Sequence, residues 1–200
     1  GVGVHENSGM KKGVISHLEG PFEAIDSALA DAERTSGFRI DRAALSLNGS
    51  HILSTKSDGM VAVNSPNQEV SEDDLARLEE VATIGKIPAN REILDFIPYS
   101  YCLDGQDGIS DPLGMRGTRL EVRANVISGM IPHIENLRQV AEKSQIEPTR
   151  VIPSVLAAST AVLSEKQKEN GVALIDFGAT TTDIEIFENG DLQYLRVIPI

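Results

Sequence analysis

Residues 173–191, ALIDFGATTTDIEIFENGD, set an apolar run against a carboxylate, then a glycine, an alanine and three threonines, then a second carboxylate. Val172, Ala173, Leu174 and Ile175 read as a strand buried on both faces, like the near-continuous apolar strands of covered sheets. Asp176 then stands where that strand emerges, with a carboxylate placed to face a cavity and to hold magnesium through water. Gly178 permits a sharp turn and Ala179 is small, so backbone N–H groups can converge on an anion with no side chain between them. Thr180, Thr181 and Thr182 add hydroxyl donors. The chain returns as a strand with Ile184 and Ile186 on one face, turns at Asn189–Gly190, and leaves in a last strand, LQYLRVIPI (192–200). From these residues alone two readings stay open: a hairpin whose tip cradles phosphate, and a hairpin with a threonine-rich turn. The Asp-Phe-Gly triplet at 176–178 also spells the magnesium-binding motif of protein kinases. That reading is set aside because the glycine-rich loop, strand lysine and catalytic loop it requires are missing at suitable spacing.

Outward from this stretch, helix and strand patterns alternate. Residues 21–36 begin with a proline, repeat apolar side chains at Phe22, Ile25, Leu29 and Ala32, and stop before Gly37, which predicts a helix with one buried stripe. Residues 43–63 alternate and break at Asn48–Gly49 and at Asp58–Gly59, which predicts strands joined by tight turns. Ser71 and Asp74 frame a capping box that starts a second helix over about residues 72–84. Two long strands follow, within 91–105 and 118–129, separated by the glycine and proline punctuation of 106–117. A third helix covers 131–145. A fourth, PSVLAASTAVLSE (153–165), is nearly all small and apolar, as suits close packing on a sheet. The middle, residues 41–129, reads as a strand-helix-strand-strand unit inserted into a lobe formed by 1–40 and 130–200. The fold class expected is therefore α/β (α+β).

Composition narrows the function classes. A hydrophobic share of 40% over 200 residues supplies a core. A net charge of -12, with no basic cluster longer than Lys11–Lys12, argues against nucleic acid as a partner, since that grip depends on Lys and Arg displacing counterions. No run is long and apolar enough to span a bilayer and no secretion signal opens the chain, so it reads as cytoplasmic. Cys102 has no partner for a disulfide and is expected to be buried and inert. His5, His17, His51 and His133 show no metal-ligand spacing and are read as structural or solvent-facing.

Residues 150–200 resemble the helix and second phosphate loop of the actin, sugar-kinase and Hsp70 superfamily, whose loop runs Asp, apolar, Gly, Gly, Gly, Thr, Thr, Asp. Within it, GMKKGVI (9–15), LSLNGSHILSTKSDGMVAV (45–63), VSEDDL (70–75), IPYSYCLDGQDGISDPLGM (97–115) and GTRLEV (117–122) resemble, in order and spacing, the FtsA family of bacterial cell-division proteins. The resemblance covers the whole chain and is most specific in the middle, which is similar to the inserted subdomain 1C. It implies a partial actin-like (ribonuclease H-like) lobe, subdomain 1A, with that insertion.

The family implies a scaffold that polymerises under ATP control and tethers the tubulin-like FtsZ ring to the inner face of the cell membrane at the division site. It also implies self-association into filaments and contacts with other division proteins through 41–129. Asp176 would be the metal-facing carboxylate, for Mg through water, and Gly178, Ala179, Thr180, Thr181 and Thr182 the turn that contacts ATP. No catalytic residue is assigned. Ala179 and Thr180 stand where the superfamily usually has glycines, which implies weaker nucleotide binding and strain at Thr180 if its position needs positive φ. Ser154 stands about where many members carry a glutamate, which implies weak or no ATPase activity. The first phosphate loop, the second lobe and the C-terminal amphipathic membrane helix of the family have no counterpart here, so the chain is expected to be a truncated form that binds Mg-ATP weakly or not at all. The alternatives are a related actin-like scaffold of type IV pilus assembly and a chaperone-type ATPase.

Overall fold

A computed structural model describes all 200 residues. Two short strands, β1 (Met10–Lys11) and β2 (Val14–Ile15), precede helix α1 (Glu19–Ser36). The helix ends at Gly37, whose φ of 76° is the left-handed conformation that only glycine adopts without strain, and whose N–H closes on the Glu33 carbonyl at 2.8 Å. Strand β3 (Arg42–Leu47) follows, then β4 (Leu53–Ala62), helix α2 (Glu72–Thr83) and strands β5 (Arg91–Leu103), β6 (Gln106–Ile109) and β7 (Arg119–Met130). The second half comprises α3 (Ile131–Lys143), β8 (Glu147–Pro153), α4 (Ser154–Val162), α5 (Glu165–Asn170), β9 (Val172–Phe177), β10 (Thr181–Glu188) and β11 (Asp191–Pro199).

Seven strands form one antiparallel sheet in the order β6-β5-β7-β4-β11-β10-β9, while β3 and β8 pair parallel as a separate two-stranded sheet. The join between β4 and β11 is narrow, a single pairing of Leu53 with Arg196. Two cores lie on either side of it. Leu120, Val122 and Ala124 of β7 meet Leu78 and Ala82 of α2 in one core, whereas Ile127 of the same strand packs with Leu47, Val155 and Val197 in the other. Each such fully buried branched side chain contributes roughly 1.5–3 kcal/mol relative to exposure. Charge pairs brace the two parts: Arg138 of α3 grips Glu92 of β5 through both guanidinium nitrogens, and Arg150 of β8 reaches Asp95 at 3.0 Å.

Several expectations change. Asp58–Gly59 is not a turn; both residues lie inside β4, whose ladder to β7 runs unbroken from Leu53 to Ala62. The glycine serves close approach instead, since a Cβ there would stand 2.8 Å from Ala82 Cβ of α2. Residues 106–117 are not only punctuation, because β6 pairs with β5. The helix expected over 153–165 is two helices: α4 ends at Val162, and Ser164 starts α5 with its own capping box to Gln167. Strand β8 escapes the pattern because Pro148 and Pro153 interrupt it, and those prolines are tolerated in a strand that pairs on one side only. Cys102 is half-buried rather than enclosed. Of the histidines, His51 is buried, with its ring centroid 4.5 Å from that of His133 and Nδ1 accepting the Met130 N–H at 3.3 Å.

Candidate phosphate-binding site

The hairpin of β9 and β10 is an edge of the seven-stranded sheet. That position overturns the expectation of a strand buried on both faces: Ala173 and Ile175 are exposed, and only Val172 and Leu174 are half-covered. The inner face of the hairpin is set by register. Asp176 lies opposite Asp183, Leu174 opposite Glu185 and Val172 opposite Phe187. Thr181, Asp183, Glu185 and Phe187 are therefore the buried residues of β10, and Ile184 and Ile186 form the outer face with Ile175 and Tyr194. A β-bulge at Ile186–Phe187 and the buried Leu195 and Val197 of β11 fix this choice.

At the tip, Gly178, Ala179 and Thr180 are all exposed, and none has positive φ, so Thr180 carries no left-handed strain. The Gly178 N–H is spent inside the hairpin on the Thr181 carbonyl at 2.9 Å, and the Thr180 carbonyl accepts the N–H of Ile200 at 3.0 Å. The amides of Ala179 and Thr180 enter no backbone bond outside the strands, and both residues are exposed. Asp176 is exposed and takes part in no salt bridge. Within residues 176–180 the chain thus offers an exposed carboxylate, two amides outside the backbone ladder and the Thr180 hydroxyl. Thr181 turns inward instead, where its hydroxyl accepts from Asn48 at 3.1 Å, and Thr182 lies on the outer face opposite Phe177 and Ile198.

No cluster of three or more Asp, Glu, His or Cys side chains is arranged to hold a metal. The donor set fits magnesium in the manner that cation prefers, one carboxylate with the remaining positions filled by water and phosphate oxygens. Ser154 offers no carboxylate: its Oγ donates to the Leu47 carbonyl and accepts from Ser46, each at 3.0 Å, so it fastens the start of α4 to β3.

Three residues around the site were not singled out by the sequence. Asn48, read as half of a turn, donates to both Thr181 and Asp183. Asp183 is buried, with Oδ1 unpartnered; burial pushes its carboxyl up, the facing charge of Asp176 adds to this, and hydrogen bonds from Asn48 and Thr181 oppose it. Glu185 is wholly buried with neither oxygen partnered, and burial raises it to about 7 against the pull of Ser159 and Lys168. The signal that could have found Asp183 and Glu185 is the strict alternation of 181–187, which gives two candidate faces, one of them acidic; no local signal marks Asn48.

Comparison with known proteins places the whole chain. A family model described as the SHS2 domain inserted in FTSA matches residues 49–128. The cell division protein FtsA of Bacillus subtilis (strain 168) is 40% identical over 200 residues, all of this chain and 46% of that protein. FtsA of Pseudomonas aeruginosa is 36% identical over 200 residues and 48% of its length, and FtsA of Escherichia coli (strain K12) 30% identical over 199 residues and 47% of its length. The chain therefore spans about half the length of the curated relatives it matches. Among solved structures, a chain of a PilM-PilN type IV pilus biogenesis complex superposes with a TM-score of 0.64 at 14% identity, over 99% of this chain and 57% of that one, a likeness of fold alone. Along all 200 residues the chain is similar to FtsA cell division proteins at 30–40% identity, and within it residues 49–128 match the SHS2 domain inserted in FTSA.

Proposed function

We propose that this chain is a segment of a cell-division scaffold that polymerises under ATP control and tethers FtsZ to the cytoplasmic face of the membrane at the division site. The observation that carries this reading is the match of all 200 residues to FtsA relatives. The residues at the hairpin tip are compatible with the nucleotide part of it. In this reading Asp176 holds Mg through water, and Gly178, Ala179 and Thr180 line the phosphates of ATP. Thr181 supports that turn from beneath, and Thr182 from the outer face. ATP, once bound, would supply charge at the tip that orders the turn, and hydrolysis is slow or absent because Ser154, fastened to β3, offers no carboxylate to position a metal-bound water. Residues 49–129 are the unit that meets other division proteins and further copies of the scaffold, while 1–48 and 130–200 form part of the actin-like lobe. By its pairing with β8, β3 goes with the lobe, so the boundary of the inserted unit is set at Asn48–Gly49 in this proposal.

Titration calorimetry with Mg-ATP tests the nucleotide part. The exposed turn offers few donors, so affinity of about millimolar order is expected, and Asp176→Ala should abolish its Mg dependence. Micromolar affinity would contradict a weak site. Heat unchanged by Asp176→Ala would remove Asp176 from the metal.

A further inference from the structure

Asn48 follows the last residue of β3, Leu47, and directly precedes the matched SHS2 segment. Its side chain is fully committed. Oδ1 accepts the Gly49 N–H at 2.6 Å, which leaves Nδ2 to donate to Thr181 Oγ1 at 3.1 Å and to Asp183 Oδ2 at 2.9 Å. Since Oδ1 is taken by a donor and the carboxylate only accepts, the amide fits one way round. The contact with Thr181 crosses 133 positions of sequence.

The same short segment is anchored on its far side. Gly49 has φ of 128°, and a Cβ on it would stand 2.9 Å from His51 Cδ2, so the backbone lies flat against that ring. The Gly49 carbonyl accepts the Ile52 N–H at 3.0 Å. His51 accepts from the N–H of Met130, where β7 passes into α3, and its carbonyl accepts from Arg91 at the start of β5. Residues 48–52, where the chain enters the inserted unit, thus join β10, directly beneath the turn, to the start of β5 and to the place where the chain leaves the unit.

We infer that Asn48 is a positioning residue of the candidate site: it holds Thr181 and Asp183 beneath the phosphate turn and ties their placement to the root of the inserted SHS2 unit. Its functional meaning rests on the phosphate reading of that turn, whereas its geometry does not. A displacement of β10 at Thr181 and Asp183 either breaks the two Nδ2 bonds or carries Asn48 with it, and Gly49 follows because Asn48 Oδ1 holds its N–H.

Amide hydrogen exchange on the isotope-labelled 200-residue chain, without nucleotide, tests this. Asn48→Asp keeps an acceptor for Gly49 but removes both donors and sets a carboxylate against Asp183. Exchange at Gly49 and Ile52 is expected to accelerate at least roughly tenfold, the scale of a lost hydrogen bond to a charged group. The double swap Asn48→Asp with Asp183→Asn exchanges donor for acceptor and should restore most of the protection, which a space-filling role would not predict. Thr181→Val, which adds no charge and serves if Asn48→Asp fails to fold, should shift the Gly49 amide and His51 ring resonances. Unchanged exchange in Asn48→Asp, no recovery in the swap, or silence at Gly49 and His51 in Thr181→Val would each overturn the inference. Because no arm contains nucleotide, failure of the phosphate reading in calorimetry leaves these outcomes separate.

Discussion

Glu185 is expected to make the chain lose stability as pH rises through neutrality. Its side chain is 0% exposed and neither carboxylate oxygen has a partner; the nearby Ser159 hydroxyl is given to the Leu156 carbonyl, and the Lys168 ammonium to Glu165 at 3.1 Å. Burial raises the carboxyl from 4.5 to about 7. The folded state therefore binds the proton more tightly than the unfolded one. Its contribution is fully present below pH 4.5 and is lost as pH rises through about 7. At 1.36 kcal/mol per unit, the change between pH 5 and pH 8 comes to about 2.5 kcal/mol. Glu185→Met fills the same space without a polar atom, so its gain over wild type should be larger at pH 8 than at pH 5 by about that amount. Glu185→Gln should flatten the pH dependence equally but gain less overall, because a buried amide still lacks partners.

Urea unfolding followed by far-ultraviolet circular dichroism at the two pH values measures this. His51, which burial and the facing His133 lower to about 4, acts in the opposite sense, contributing stability above pH 6.5 that is lost as pH falls through about 4. It is common to wild type and variants and cancels in the difference. A gain for Glu185→Met that is the same at pH 5 and pH 8 would refute the reasoning, and would mean that the carboxylate is solvated or paired with Lys168.

Gly59→Val should destabilise by about 2 kcal/mol or more, since the new side chain meets Ala82 Cβ and backbone at 2.8–3.0 Å and α2 must move off the sheet; a change under a few tenths, by the same urea assay, would restore the reading of this glycine as a turn. For the brace between α3 and β5, Arg138→Ala and Glu92→Ala should each cost roughly 1–2 kcal/mol, and the double variant little more than either single one. Both side chains are about a third exposed, at 31% and 32%, so the pair is shielded enough for that coupling to survive moderate salt. Strict additivity in the double-mutant cycle would show that the pair does no bracing.

Much of the fold was legible because it is locally encoded. The stripe of α1 and its stop at Gly37, the capping box of Ser71 and Asp74, and the Asn189–Gly190 turn with both residues at positive φ are each written within a few residues of chain. The FtsA pattern was legible for a related reason: its motifs are short runs whose order and spacing survive on the linear sequence. Within the candidate site, Asp176 and the turn at 178–180 could be named from sequence because a strand, a carboxylate and a small-residue turn are consecutive. Asn48 could not, because its partners Thr181 and Asp183 lie 133 and 135 positions away in sequence, and only the tertiary fold brings them within reach.

The sequence by itself determined that residues 181–187 form a strand with two unlike faces, one carrying Thr181, Asp183 and Glu185, the other Thr182, Ile184 and Ile186. Hydrophobicity alone would bury the isoleucines. Tertiary structure decided the reverse, and the reason is physical: the bulge before Phe187 and the inward Leu195 and Val197 of β11 fix which side of the hairpin meets α4. The period of a strand is a local property, but the face that becomes interior belongs to whatever packs against it. Here that choice places two carboxylates in the core, one of them held by Asn48 beneath the turn.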